Sequence, residues 1–93
     1  MKDCDSRPAI LVVDDERAVR ETFERVLQED YRVLLAETGQ ETMKILREKN
    51  VDVILLDILL PDVHGTSLLV EIKRLRPDAT VVMVTALRDL ETA

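Results

Sequence analysis

Aromatic side chains are nearly missing from this 93-residue chain, which has one Tyr, one Phe and no Trp. Its core must therefore be aliphatic, assembled from Val, Leu and Ile within a composition that is 46% hydrophobic and 34% charged. Two Gly and three Pro are too few for a disordered or low-complexity chain. The single cysteine, Cys4, excludes an intrachain disulfide and stands outside any metal-ligand spacing. It reads as a bystander thiol in a flexible N-terminal segment over residues 1–8. No stretch approaches the roughly 18 consecutive apolar residues of a membrane span, and Met1 to Arg7 lack the apolar segment of a secretory signal. A cytoplasmic location without a membrane partner is expected. An excess of positive charge is also missing. The net charge of −6 speaks against nucleic-acid binding by this segment, because nothing here would neutralise phosphates.

What the chain does have is an alternation of two hydrophobic periods. Ala9 to Val13 is a continuous apolar run, too short for a helix and suited to a strand buried on both faces. From Glu16 to Glu29 the period becomes helical, with Val19, Phe23, Val26 and Leu27 on one face. Tyr31 to Ala36 is a second strand candidate. Thr38 with Glu41 three residues later is a capping-box pattern that opens a helix through about Lys49. Val51 to Leu56 is the strongest strand, interrupted on one face by Asp52. Pro61 to Gly65 is a loop by its Pro, Asp and Gly content. Leu68, Leu69, Ile72 and Leu75 mark a third helix stopped by Pro77, and Thr80 to Val84 is a fourth strand. Strands alternating with helices predict an α/β fold with a parallel sheet, since parallel neighbours need crossover connections.

In such sheets chemistry sits beyond the carboxyl ends of the strands, where the strand order switches. The first strand ends in Asp14, Asp15 and Glu16, the third in Asp57 and the fourth in Thr85. In a flavodoxin-like, doubly wound order of 2-1-3-4, strands one and three are neighbours, so Asp14 and Asp15 would meet Asp57 across the crevice. Carboxylates gathered this closely repel one another, and a hard divalent cation relieves the repulsion. Magnesium, which favours a few carboxylates plus water and a phosphate oxygen, suits the site. An Asp carboxylate is also a competent nucleophile toward phosphorus. Taken singly, Asp14 or Asp15 reads as an N-cap, Asp57 as a loop residue and Thr85 as a cap. Capping alone, however, predicts no convergence on one crevice.

At these positions the sequence closely resembles receiver domains of bacterial two-component response regulators. The matching segments are Ile10 to Glu16 (ILVVDDE), Asp52 to Asp57 (DVILLD), Leu60-Pro61 with Gly65, and Val82 to Ala86 (VMVTA). The resemblance implies that Asp57 accepts a phosphoryl group from a phosphohistidine on a sensor histidine kinase. It implies that Asp15 binds magnesium directly, that Asp14 assists through water, and that the backbone carbonyl of Leu59 completes the set. Thr85 would turn its hydroxyl, and Ala86 its amide, toward the phosphoryl group. Gly65 would lie where the backbone calls for a residue without a side chain. Leu59 and Leu87 would flank the path of the hydrolytic water and, being apolar, imply slow self-dephosphorylation. The kinase is expected to dock on the first helix, where Arg17, Arg20 and Glu21 are read as exposed.

The family also carries a fifth strand ending in a Lys, and a fifth helix, which have no counterpart before Ala93. Residues 1–93 therefore read as a receiver incomplete at its C-terminus, joined to an output domain or effector beyond Ala93, with the fourth strand left as an edge that invites dimerisation. No separate substrate turnover is expected. One rival is a phosphatase with an Asp nucleophile, disfavoured because no segment is available for a specificity cap. Nucleotide binding is disfavoured because no Gly-rich loop follows the first strand. The remaining rival is a receiver-like dimerisation or interaction module that is never phosphorylated. His64, alone in its loop, reads as solvated.

Overall fold

The computed structural model of the chain describes residues 6–84. Its elements run in the order β1 (Ala9–Val13), α1 (Arg17–Leu27), β2 (Arg32–Ala36), α2 (Gly39–Glu48), β3 (Val53–Asp57), α3 (Gly65–Leu75) and β4 (Thr80–Val84). The strands form one sheet in the order β2-β1-β3-β4, and every pair is parallel. The fold is the flavodoxin-like α/β arrangement expected from the alternation of periods, and among the described residues it comprises four strands and three helices. Thr85, Ala86 and Leu87 lie outside the described residues.

The two faces of the sheet are covered unequally. Leu11, Val13, Ile54 and Leu56 turn to one side and pack against Leu46 of α2 and against Leu68 and Ile72 of α3. Leu11, Leu46, Ile54, Leu56 and Ile72 are fully removed from solvent. At about 25 cal/mol per Å² of apolar surface, burying each such side chain contributes roughly 1.5–3 kcal/mol. On the other side α1 packs against β1 and β2. Its contact stripe is Val19, Phe23 and Leu27, all half-buried, and no residue of α1 is fully buried. Val26, expected on that stripe, is 67% exposed, because residues 19, 23 and 27 recur every four positions and leave 26 to one side. Leu75, one of the apolar positions that mark the third helix in the sequence, is also exposed, at the last position of α3.

The termini of the elements show why the chain turns where it does. Thr38 caps α2 by accepting the Glu41 N–H at 3.0 Å, while the Glu41 carboxylate accepts the N–H of Glu37 at 2.8 Å, one residue earlier than a standard capping box. His64 caps α3 through its ring Nδ1, which accepts the Thr66 N–H at 3.3 Å. Asp52 moves the start of the third strand from Val51 to Val53. It lies outside the strand with its Oδ2 accepting the Ala9 N–H at 2.9 Å. Arg7 and Pro8, expected in a flexible tail, are fastened to β2: the Arg32 N–H donates to the Pro8 carbonyl at 2.9 Å and Arg32 Nε to the Arg7 carbonyl at 3.0 Å.

Gly65 fixes how closely α3 approaches the end of β3. A Cβ at this position would stand 2.7 Å from the Asp57 carbonyl oxygen and 2.8 Å from Ile58 Cα, both backbone atoms that cannot turn aside. The requirement is one of space and not of backbone angle, because no glycine here has a positive φ. Gly65→Ala is accordingly expected to lower the unfolding free energy by about 1–3 kcal/mol, the usual range for overpacking, as read by urea denaturation.

Candidate functional site

The parallel register of β1 and β3 builds the site. Val13 lies opposite Leu56, so the next residues, Asp14 and Asp57, leave the sheet side by side at its carboxyl end. Asp14 is 7% exposed and Asp57 is 2% exposed, while Asp15 stands in solvent. One carboxylate oxygen from each of Asp14, Asp15 and Asp57 lies within 4.8 Å of the others. At an effective dielectric of about 20, the buried Asp14–Asp57 pair alone repels by roughly 3 kcal/mol or more at that separation. Hard oxygen donors, mutual repulsion and one side open to water fit a small divalent cation that keeps part of its hydration shell.

Local hydrogen bonds hold these carboxylates in place. The Asp14 N–H donates to the Ala36 carbonyl at 3.0 Å, and Asp14 Oδ1 accepts the N–H of Glu16 at 2.9 Å, closing the turn into α1. The N-cap role that Asp14 suggests in isolation is not what forms, because Glu16 is the N-cap of α1 and Asp14 instead closes the turn that precedes it. Asp57 Oδ1 accepts the Leu59 N–H at 3.3 Å. Leu59 is 40% exposed and forms an isolated antiparallel bridge with His64, which closes the loop that follows Asp57.

On α1 the expected docking residues divide. Arg17 and Glu21 are exposed and paired at 2.9 Å, an i,i+4 contact of small energetic value. Arg20 departs from the exposed placement. Its side chain is only 15% exposed and folds back so that Nη1 donates to the Asp14 carbonyl at 2.8 Å.

This geometry agrees with three comparisons. A family model described as response regulator receiver domain matches residues 10–93, and the chain belongs to that family. It is 33% identical over 89 residues to the probable transcriptional regulator ycf27 of Guillardia theta, covering 95% of this chain and 35% of that protein. A crystal structure of a CheY-like response regulator receiver domain protein from Methanospirillum hungatei JF-1 superposes with a TM-score of 0.84 at 34% identity, over 92% of this chain and 72% of that one. The response regulator TrrA of Thermotoga maritima, solved in complex with Mg(2+)-BeF, superposes with a TM-score of 0.80 at 36% identity, over 91% of this chain and 75% of that one. The chain spans about a third of the length of the curated relatives it matches.

Asp62, read from sequence only as part of a loop, anchors the segment that follows Asp57. Its Oδ1 accepts the Gly39 N–H at 2.8 Å and its Oδ2 the Gln40 N–H at 3.0 Å, so a carboxylate from the β3–α3 loop caps the N-terminus of α2. The Gly39 N–H is the main reason its pKa lies below the usual carboxylate value; partial desolvation works against it, and the N–H groups of Gln40 and of Asp62 itself add to the lowering. A folded-state pKa below the unfolded one stabilises the protein above the unfolded value, and that contribution is lost as pH falls through the folded value. The stability gap between wild type and Asp62→Ala should therefore be largest near neutral pH and shrink below about pH 4, as measured by denaturant melts across the acid range.

Proposed function

We propose that the chain is the phosphoacceptor module of a two-component response regulator, with Asp57 taking a phosphoryl group from a sensor histidine kinase. The observation that carries the reading is the meeting of Asp14, Asp15 and Asp57 at the carboxyl ends of adjacent strands, with ligand atoms within 4.8 Å of one another. An Asp57 carboxylate oxygen attacks the phosphorus of the donor phosphohistidine. The P–O bond forms as the P–N bond breaks, and the electron pair leaves with the imidazole nitrogen. Asp14, Asp15 and Asp57, with the Leu59 carbonyl, would hold Mg²⁺, which would supply the positive charge an acidic pocket needs to admit a phosphoryl group. Thr85 and Ala86, by their likeness to the family's motif, would face the phosphoryl oxygens.

The product is an acyl phosphate that adds about −1.5 to −2 charge at the crevice, enough to bias a bistable surface nearby. The chain is thus a signalling module and not an enzyme with a separate substrate. The kinase would dock on α1, where Arg17 and Glu21 offer the exposed charges and Arg20, engaged inward, offers less. The greater length of the relatives supports an output domain or effector beyond Ala93. No helix among the described residues is long and apolar enough to cross a membrane, which suits a cytoplasmic partner of a kinase.

Two experiments follow. Beryllofluoride with Mg²⁺ should bind the wild-type protein and fail to bind Asp57→Ala, as observed by fluorine NMR; no binding by the full-length protein would instead favour a dimerisation or interaction module. Leu59→Asn should speed loss of the phosphoryl group. A side chain able to hydrogen-bond the attacking water at a net gain of about 0.5–1.5 kcal/mol would accelerate hydrolysis roughly two- to tenfold, and an unchanged decay by phosphate release would reject the assignment. Leu87 is expected to act in the same way.

A further inference from the structure

Arg20 reaches from α1 to grip the backbone of a residue in the acidic cluster. It starts in the first turn of α1 and donates from Nη1 to the Asp14 carbonyl at 2.8 Å, while Nη2 lies 3.6 Å from Glu37 Oε2. Its side chain is 15% exposed, against 82% for Arg17 three residues earlier on the same helix. Arginine loses much rotamer freedom when ordered in this way, so the inward placement needs a compensating set of contacts. The fixed planar fork of the guanidinium suits two acceptors at once.

The contacts close a circuit around Asp14. Its N–H is held by the Ala36 carbonyl at 3.0 Å, its carbonyl by Arg20, and its Oδ1 by the Glu16 N–H at 2.9 Å. Glu16, the N-cap of α1, makes no side-chain cap bond to the first turn of its own helix. Glu37, which receives the other side of Arg20, gives its own N–H to Glu41 in the cap of α2 at 2.8 Å.

We propose that Arg20 is a positioning residue for the cation-binding turn, setting the Asp14 peptide so that the Asp14 and Asp15 carboxylates face Asp57. The inference rests on the reading of that cluster as a Mg²⁺ site. Arg20 acts on the ion in two opposing ways. Its charge repels a divalent cation, so electrostatics alone predicts tighter binding when it is removed. Its hold on the Asp14 carbonyl keeps two ligands in register, so positioning predicts weaker binding. Positioning dominates, because the Glu37 carboxylate offsets much of the guanidinium's charge while the guanidinium holds the Asp14 carbonyl directly.

The test is Mg²⁺ titration by calorimetry on the full chain, comparing wild type, Arg20→Met and Arg20→Lys. Arg25→Met, at the far end of α1, serves as a control that removes the same charge. Arg20→Met is expected to weaken Mg²⁺ binding by about tenfold, the lower end of what losing an outer partner costs a metal site, and Arg25→Met to leave it unchanged. In metal-free protein the Asp15 and Glu16 amides should exchange faster with solvent in Arg20→Met, a readout that charge alone would not move. Equal or tighter Mg²⁺ binding in Arg20→Met, or unaltered amide exchange, overturns the proposal. Arg20→Lys keeps the charge without the fork and should bind with intermediate affinity; if Arg20→Met does not fold, wild-type affinity in Arg20→Lys overturns the proposal in its place. Absence of Mg²⁺ binding in the wild type would overturn the site reading itself, and the inference with it.

Discussion

Repulsion between carboxylates that the sheet forces together is the constraint around which this molecule is organised. Parallel pairing of β1 with β3 places Asp14 and Asp57 at the same level beyond the last apolar residues of two adjacent strands, both nearly buried. Two anions in that position are tolerable only where donors hold them or a cation joins them. The fold supplies donors in quantity: the Glu16 N–H for Asp14 and the Leu59 N–H for Asp57. The flanking loops are then shaped by the need to keep these donors in place. Gly65 lets α3 close against the Asp57 carbonyl, and Asp62 ties the same loop to α2.

Much of this was legible in the sequence, for a physical reason. A strand buried on both faces reads as an uninterrupted apolar run, and the first carboxylate after it marks the point where the chain leaves the core. Ala9–Val13 followed by Asp14, and Val53–Leu56 followed by Asp57, announce both the sheet and the edge where its carboxylates gather. The order of the strands then follows from topology, and the convergence of the three Asp residues follows from the order. The helices were equally plain, because Thr38 and Glu41 mark one start and Pro77 follows one end.

Other features were hidden because they depend on where a side chain bends and not on where it stands in the sequence. Arg20 sits among exposed charges on α1 and looks like one of them, yet it turns inward to a carbonyl six positions earlier. Asp62 looks like an ordinary turn residue beside Pro61, and its partners Gly39 and Gln40 lie more than twenty positions away. Val26 follows the helical period but misses the sheet, since α1 rests on β1 and β2 along a stripe of half-buried residues that does not include it. Asp52, inside an apolar run, reads as a strand residue because no local signal shows that it receives the Ala9 N–H.

The short link between β2 and α2 has a consequence for how such a chain can change over time. Only Glu37 and Thr38 separate the two elements. From this link Glu37 reaches the β1–α1 turn through Arg20, and the first two amides of α2 receive Asp62 from the β3–α3 loop. A single added or deleted residue here would rotate the start of α2 by about 100° and withdraw both attachments at once. Exposed turns ordinarily absorb such length changes freely. This one is a shared abutment, so sequence drift at its surface is confined to exchanges of side chains and excludes changes of length.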